Sequence, residues 1–415
     1  MNLVGTGYRV AFIAAALLAS SSVAAFSATD ILKQLRSGTC IETMSCISAV
    51  TNISVATNEP KISSKPESGD PLFSSCVEGP IYRQADGGVE SCERYLKAGT
   101  GTVRERATAM FTLGHFYYKS VNSYVEGQGP SYSKAVKTWQ QAAELDPTFI
   151  EPYIAIGNML GYSGLGEQAQ MAFDRAGKID PLDWRIYTGR ANAFYHSQKL
   201  PEALKAAEKA FDIAPEEPTV RLVLGRMLTS NMKFEEAAKQ FELAAINYVE
   251  HHDPMELVGE PHPLESLADA QNRMGRPALA AETISKYIET LEPMAQFFML
   301  YQTRAEYYES AEMFEKSAAD LKEAAKRAPP GYSEELMARH AIMLARTGSK
   351  NRAGEELRNV LTRGNLKSIL KVQVFLRNQG YDEVVINGSY DDATSNALDS
   401  CMQDDQCAPG VGQAI

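Results

Sequence analysis

A period of 34 residues runs through the middle of this chain and limits its fold more than any other feature. Pro147, Pro181 and Pro215 stand 34 residues apart. A period of this length is typical of a stacked repeat. Small or aromatic side chains recur at fixed distances before the prolines: Ala142, Ala176 and Ala210 five residues before, Trp139, Phe173 and Ala207 eight before, and Ala135, Ala169 and Ala203 twelve before.

The pattern predicts two antiparallel helices in each unit. Small residues allow the helices to cross closely, large apolar residues fill the gap to the next unit, and the proline ends the second helix. Because one unit cannot bury its apolar face alone, the units are expected to stack into a superhelix. The register continues at Gly157, Leu160, Ala191 and Phe194, and in a unit without the proline at Gly225, Leu228, Ala237, Phe241 and Ala244.

These residues resemble the tetratricopeptide repeat (TPR) family. The resemblance covers residues 90–363, roughly two-thirds of the chain, and implies an all-α superhelix of six to seven repeats. The first unit carries Gly114 and Tyr117 and has an insertion at residues 120–127. A partial capping unit is expected at residues 91–98. The later, degenerate units match the pattern at Ala268, Ala280, Ile284, Ala305, Tyr308, Leu321, Ala324, Ala341, Leu344, Ala353 and Leu357.

The TPR resemblance also implies a binding groove. The first helix of each unit lines the concave face, where ligands lie as an extended peptide or a helix. Asparagine side chains there could pair with a peptide backbone and Arg226 could hold a carboxylate, whereas Thr188 and Leu222 depart from the pattern of TPRs that bind chaperone tails. Alternatively, the groove residues are only solvated polar groups. The expected groove residues are Asn158, Tyr162, Asn192, Tyr195, His196, Arg226, Thr229, Gln302 and Glu306.

The sequence changes character at residues 364–415. Ile369, Val372 and Leu376 form an apolar helix face that Gly380 ends. The segment resembles the small three-helix peptidoglycan-binding domain of cell-wall proteins, which implies a tether to peptidoglycan. The motif residues are Gln373, Gly380, Tyr381, Asn387, Gly388, Tyr390 and Thr394, with Ala397 and Leu398 facing the core.

This C-terminal segment departs from its family at two positions. Asn387 stands where the family usually has Asp, and Cys401 stands where an aromatic residue usually closes the last helix. A Cys401–Cys407 disulfide could replace that aromatic residue as the staple of a very small core. The alternative to glycan binding is a purely structural cap or a protein-docking module.

The first residues predict export. An apolar run at residues 10–20 is short for a membrane span and typical of a signal peptide, and Val23 and Ala25 supply small residues for cleavage after Ala25. An uncleaved membrane anchor is the alternative. Residues 26–89 are expected to be an extension with a disordered linker at about residues 51–71, because that stretch is rich in Asn, Ser, Pro and Lys. No other stretch is apolar enough to span a membrane.

The six cysteines indicate disulfides. An even number of cysteines outside the central helices of an exported chain favours oxidation, and no CxxC motif points to redox chemistry or zinc. Proximity along the chain suggests three pairs, although six cysteines allow fifteen pairings. The suggested pairs are Cys40–Cys46, Cys76–Cys92 and Cys401–Cys407.

The chemistry of the chain argues against catalysis. With a net charge of -11 and a pI of about 5.2, it is a poor candidate for a nucleic-acid partner. It has no nucleophile elbow or phosphate-binding loop, so neither an enzyme nor a cofactor is predicted. A polar loop between repeats is the preferred interpretation of residues 249–262, although this stretch also holds a possible set of metal ligands. These are His251, His252, Asp253, Glu256, Glu260 and His262.

Together these features predict an exported, non-catalytic scaffold in the periplasm or cell envelope of a bacterium. It would bind a protein partner in the TPR groove and attach to peptidoglycan through the C-terminal segment. Two alternatives stay open: an interaction factor whose C-terminal segment is purely structural, and an accessory subunit of a cell-wall hydrolase or synthase.

Overall fold

The architecture is helical throughout the described chain. The computed structural model describes residues 69–77, 85–120, 132–246, 261–291, 297–329, 331–363, 366–404, 406–408 and 410–411, which contain eighteen helices and no strand. The predicted signal peptide, the Cys40–Cys46 pair, all but the first residue of the insertion at residues 120–127 and most of the loop at residues 249–262 lie outside these ranges. The chain divides into two compact units, Met1–Glu260 and Pro261–Ile415.

The first unit contains ten helices. They are α1 (Pro71–Val77), α2 (Ala85–Ala98), α3 (Val103–Ser120), α4 (Tyr132–Leu145), α5 (Glu151–Tyr162), α6 (Gly166–Ile179), α7 (Trp184–His196), α8 (Leu200–Ile213), α9 (Pro218–Ser230) and α10 (Phe234–Ile246). From α3 onward they pack as four antiparallel pairs, and the second helix of each pair leads into the next pair. We call the first helix of each pair its A helix and the second its B helix.

The second unit contains three more pairs and the C-terminal module. Its helices are α11 (Pro263–Arg273), α12 (Pro277–Thr290), α13 (Phe298–Ser310), α14 (Phe314–Arg327), α15 (Tyr332–Arg346), α16 (Lys350–Arg363), α17 (Leu366–Asn378) and α18 (Asp392–Gln403). The described residues therefore contain seven repeat pairs, and the all-α fold predicted from the sequence is confirmed.

Close packing of glycine against an aromatic ring explains the repeat pattern. A Cβ atom at Gly157 would lie 2.6 Å from the ring of Phe173, and one at Gly189 of the next A helix would lie 2.5 Å from the same ring. Phe173 is fully buried between the two A helices. In the following pair Ala207 replaces the aromatic residue and Ala191 replaces the glycine, so the two sizes change together.

The turn from A helix to B helix has one geometry in both units. Each A helix from α5 to α15 ends with a residue at positive φ, followed by an N–H that bonds five residues back, as Lys233 does to the Leu228 carbonyl at 2.9 Å. This is the Schellman motif, which satisfies the last carbonyls of a helix. The residues at positive φ are Gly164, Gln198, Met232, Gly275, Glu312 and Gly348.

The first described helix begins at Pro71, earlier than residue 90, where the sequence predicted that the repeat array follows the N-terminal extension. Phe73 of α1 is buried against Tyr95 of α2, with ring centroids 5.2 Å apart, and the Cys76–Cys92 disulfide joins the two helices. The pair α1–α2 packs on α3 and covers the end of the array, as the capping unit expected at residues 91–98 would. A seven-residue helix is too short to show a reliable hydrophobic period.

The C-terminal module shares its core with the last repeats. Helix α18 packs on α16, and one cluster of buried side chains runs without interruption from Ala268 to Val411. Among the described residues the module has two long helices, α17 and α18, and a disulfide between Cys401 and Cys407 that holds the chain after α18.

Candidate functional site

The A helices of the first unit form one continuous face. Helix α7 packs against both α5 and α9, so equivalent positions in successive repeats lie side by side. We call this surface the A-helix face. Asn158, Asn192 and Arg226, which stand 34 residues apart, lie on these three helices, where the sequence predicted a groove.

Asn192 and Arg226 bond to each other across the repeat boundary. The Arg226 Nη2 atom donates to the Asn192 Oδ1 atom at 2.6 Å. Burial, more than any other factor, lowers the pKa of Arg226, and the Tyr162 and Tyr195 hydroxyls oppose that shift. The guanidinium group is thus held in a partly dry position before any ligand arrives.

Asn192 also influences the ionisation of Tyr162, which lies on the preceding A helix. Burial raises the pKa of Tyr162, whereas Arg226 and, to a smaller extent, Asn192 lower it. We expected Asn192 to be open to a peptide backbone, but its carboxamide oxygen instead accepts from Arg226.

Aromatic rings line the A-helix face beside this network. The ring centroids of Tyr162 and His196 are 5.0 Å apart and those of Tyr195 and His196 are 5.5 Å apart. The Arg226 guanidinium lies 5.6 Å from the centre of the Tyr195 ring. Tyr118 of α3 lies near enough to Tyr162 to raise its pKa. We call Tyr118, Tyr162, Tyr195 and His196 the aromatic band.

Two rings of the aromatic band are exposed, and its histidine is neutral at pH 7. Tyr162 is 38% exposed and His196 is exposed. Burial, with a smaller contribution from Arg226, lowers the pKa of His196 below its usual 6.5. The imidazole is therefore neutral at pH 7, and the band offers flat apolar faces with hydroxyl and imidazole edges.

The remaining predicted groove residues of the first unit differ in availability. The Asn158 Oδ1 atom lies beside Gly189, and the described residues form no hydrogen bond with its carboxamide. Thr229 donates its hydroxyl to the Gly225 carbonyl of its own helix at 3.0 Å. Thr188 and Leu222 are buried, so neither faces a ligand. Asn158 is thus the groove carboxamide that remains available.

Gln302 and Glu306 lie in the second unit, where Gln302 hydrogen-bonds to Glu306 and Glu306 forms an ion pair. Gln302 Nε2 donates to Glu306 Oε1 at 3.2 Å, and Arg339 Nη1 of α15 donates to the same oxygen at 3.1 Å. Glu309 pairs with Arg339 and Arg346 at 3.8 and 3.4 Å. These side chains link α13 to α15, a role that the repeat pattern does not reveal.

Gln373 is the centre of the C-terminal module. It is fully buried, and its Oε1 atom accepts from the backbone N–H groups of Asn387 and Gly388 at 3.1 and 2.8 Å. Its Nε2 atom donates to the Ser389 carbonyl at 2.8 Å and to the Thr394 hydroxyl at 3.1 Å. One amide thereby fixes the loop between α17 and α18.

The other motif residues also build the module. Gly388 has φ +71°, a left-handed backbone conformation that favours glycine. Gly380 ends α17 at positive φ, and Tyr381 donates its N–H to the Leu376 carbonyl at 3.1 Å. Tyr381, Asn387 and Tyr390 pack or bond around this loop, and Thr394 is buried. The motif residues thus serve mainly to stabilise the fold of the module, and they indicate a ligand site less directly.

Two surfaces of the module were not anticipated from its sequence. Val385 and Ile386, at the tip of the loop, are 58% and 50% exposed although Val384 is buried. A surface cleft of about 400 Å³ lies along the line where α16 and α18 meet, and its lining includes Lys350, Arg358 and Asp399. Arg358 and Asp399 form an ion pair across it.

The possible metal ligand His262 has a structural role. Its Nδ1 atom accepts from the Leu264 N–H at 3.1 Å at the start of α11, and its ring stacks on Tyr287 with centroids 4.1 Å apart. Burial lowers the pKa of His262 to about 4. No group of three or more potential metal ligands occurs in the described ranges. None of the helices in those ranges is long and apolar enough to cross a bilayer.

Comparison with known proteins gives similar folds but no family assignment. No protein-family model matches the chain. A search of curated proteins found no match. Among solved structures, a tetratricopeptide repeat protein from Parabacteroides merdae is 15% identical, with 65% of this chain and 99% of that chain covered and a TM-score of 0.43. YrrB, a TPR protein with an unusual peptide-binding site, is 19% identical over 48% of this chain and 96% of its own, with a TM-score of 0.36. Yeast Tom70 is 16% identical over 84% and 80%, with a TM-score of 0.44.

Proposed function

We propose that this protein is a non-catalytic scaffold that binds a segment of a protein partner on the A-helix face of its first unit. The observation that carries the proposal is the Asn192–Arg226 hydrogen bond beside the exposed rings of Tyr162 and His196. Aromatic residues and arginine are the side chains that most often dominate protein interfaces. A face that is already ordered loses little conformational entropy on binding.

The groups on this face suit an extended peptide segment. The Asn158 carboxamide offers both a donor and an acceptor to a peptide backbone. Arg226, whose guanidinium is oriented by its bond to Asn192, attracts a carboxylate of the segment. The aromatic band supplies contact area at low entropy cost because each ring has only two torsions.

Two variants with matched sites test this proposal. The full mature chain and its Asn158→Ala/Tyr162→Ala variant are used to recover partners from a bacterial envelope extract. A Lys205→Ala/Lys209→Ala variant, altered on the exposed side of the B helix α8, is the control. We expect a partner to be retained by the wild type and the control and to be lost at least tenfold by the A-helix-face variant. Equal recovery by all three chains would contradict the proposal.

Export is part of the proposal. The apolar run at residues 10–20 and the small residues before residue 26 support a cleaved signal peptide. The Cys76–Cys92 and Cys401–Cys407 disulfides fit an oxidising compartment, since thiols stay reduced in the cytosol. N-terminal sequencing should find Phe26 first in the exported protein. A cytosolic chain that retains Met1 would contradict it.

Attachment to peptidoglycan completes the proposed function. It is supported by the resemblance of the C-terminal module to peptidoglycan-binding domains and by the ordered loop that Gln373 holds. The competing function, a purely structural cap, is favoured by a specific observation: α18 packs on α16, and the motif side chains Gln373 and Thr394 are buried.

Sedimentation with purified sacculi separates these two functions. Deleting the module would uncover buried residues of α16, so a milder change is preferable. Val385→Ser/Ile386→Ser alters only the exposed loop tip, and Met232→Ser, 76% exposed in the first unit, is the control. A tether predicts that the wild type and the control pellet and that the loop variant pellets less. If the wild type stays in the supernatant, the cap function is correct.

A further inference from the structure

Helix α17 has an exposed side that combines apolar and basic residues. Leu366, Leu370 and Val374 are spaced four residues apart, so they lie in one row along the helix. Leu366 is 61% exposed, Val374 is 42% exposed and Leu370 is half-buried. Lys367 and Lys371, each one position after a leucine, are exposed beside this row. We call these five residues the α17 face.

The loop after α17 extends the apolar surface. A Cβ atom built at Gly388 would lie 2.0 Å from the Leu366 Cδ1 atom and 3.4 Å from the Leu370 Cγ atom, so both leucine side chains pack against the loop there. Val385 and Ile386, which precede Gly388 at the loop tip, are more than half exposed and half exposed. The exposed apolar groups of the helix and of the loop therefore belong to one surface.

The chain around α17 is basic although the protein as a whole is acidic. The net charge of the protein is -11, yet residues 357–381 contain no acidic residue. Arg358 pairs with Asp399, and Arg377 pairs with Asp382. The exposed basic residues just before α17 and along its first half are Arg363, Lys367 and Lys371.

Screening decides which charges an approaching surface meets. The Debye length is about 8 Å at physiological ionic strength, so more distant acidic groups of the protein contribute little at the α17 face. Asp382, the first acidic residue after α17, lies 3.9 Å from Arg377, near the end of the helix. The first half of α17 is therefore the part that suits an anionic surface.

The arrangement of the α17 face favours a lipid surface over a protein segment or a second copy. A helix in a membrane interface buries an apolar row, and lysines beside the row extend their ammonium groups to the lipid headgroups. A partner helix usually docks in a groove, whereas this row lies on the exposed side of a single helix. A second copy would bring the lysines of two α17 faces together, which is repulsive.

We propose that the α17 face and the adjoining loop tip bind the surface of a membrane that contains anionic phospholipids. Leu366, Val374 and Ile386 enter the interface, and Lys367 and Lys371 meet the headgroup phosphates. This contact is separate from the A-helix face of the proposed function. It uses a helix that lies on the bilayer and does not cross it.

Flotation of the full mature chain with lipid vesicles tests the proposal. One set of vesicles contains equal parts of phosphatidylglycerol and phosphatidylcholine, and the matched set contains phosphatidylcholine alone. We expect at least tenfold more protein to float with the anionic set. Binding should fall in about 1 M salt, where the Debye length is about 3 Å. Vesicles contain no glycan, so the result is independent of attachment to peptidoglycan.

A pair of matched variants tests the role of charge. Lys367→Gln/Lys371→Gln keeps helix-forming side chains and removes two charges. A basic side chain near an anionic membrane contributes about 1 kcal/mol, so this variant should bind about 25-fold more weakly. Lys205→Gln/Lys209→Gln makes the same change on the exposed side of α8 and should bind as the wild type does.

A second pair tests the apolar row. Leu366→Gln/Val374→Gln should weaken binding at least tenfold, because it removes the side chains that enter the interface. Met171→Gln/Leu182→Gln changes two side chains of the first unit that are 66% and 69% exposed, and it should leave binding unchanged.

Three results would overturn the proposal. The wild type could float equally with both sets of vesicles, float with neither, or lose binding equally in the two lysine variants. An acidic protein segment is the competing occupant. If anionic vesicles are not bound, and a labelled polyglutamate peptide binds the wild type but not Lys367→Gln/Lys371→Gln, the α17 face is a site for such a segment and the proposal is wrong.

Discussion

The bond between Asn192 and Arg226 leads to a quantitative prediction about stability. A hydrogen bond to a charged group contributes about 1.5–3 kcal/mol when it is buried. This one is partly buried, with a distance of 2.6 Å between Arg226 Nη2 and Asn192 Oδ1. We therefore expect a coupling free energy of about 1 kcal/mol between the two residues in a double-mutant cycle.

The two single variants should differ in the free energy of unfolding. Asn192→Ala leaves a partly dehydrated guanidinium without this acceptor, so a loss of about 2 kcal/mol is expected. Arg226→Met keeps the length of the side chain and leaves only a neutral amide to be rehydrated, so about 1 kcal/mol is expected. The order of the two losses follows from which partner is left buried.

Urea unfolding followed by circular dichroism measures these differences. Thr229→Ala is the matched control, because its hydroxyl bonds only to its own helix and its loss should change stability little. The reasoning is refuted if Arg226→Met is more destabilising than Asn192→Ala, or if the two losses simply add. Either result would mean that the pair does not link the two repeats.

Three further predictions concern other parts of the fold. Gln373→Ala should destabilise the C-terminal module by about 3 kcal/mol, because it leaves several buried groups without partners; faster proteolysis between α17 and α18 would show this, and unchanged cleavage would contradict it. Met232→Gly should raise the free energy of unfolding by up to about 1 kcal/mol, because Met232 has φ 61° and is 76% exposed; lower stability in a urea titration would contradict it. Burial lowers the pKa of His262 from 6.5 to about 4, so only the unfolded state gains a proton as the pH falls between these values. Stability should therefore decrease by about 3 kcal/mol over this range, and His262→Asn, which keeps a capping acceptor, should flatten that part of the pH profile; an unchanged profile would contradict the assignment.

The sequence predicted the repeat array well because its physical cause is local. Proline at helix ends and the matched sizes of Gly157 and Phe173 recur with every unit, so the period alone locates the helix pairs. The short helix α1 could not be predicted in this way, because it depends on the Cys76–Cys92 disulfide and on the burial of Phe73.

The site was harder to predict than the fold. The 34-residue spacing places Asn192 and Arg226 on neighbouring helices, but it does not reveal that they bond to each other and not to a ligand. Tyr118 was missed because the repeat period does not show that its side chain comes near Tyr162 of the next repeat. The role of Gln373 depends on its complete burial, which a motif does not show.

Site-specific photocrosslinking tests the central claim most directly. A photoreactive amino acid is placed at Asn158 or His196 on the A-helix face, or at Lys205 or Lys209 on the exposed side of α8. The exported chain is irradiated in a bacterial envelope preparation, and products are resolved by mass. We expect a discrete protein adduct from the two A-helix-face positions and none from α8. Adducts from α8 alone would show that the partner does not bind the A-helix face.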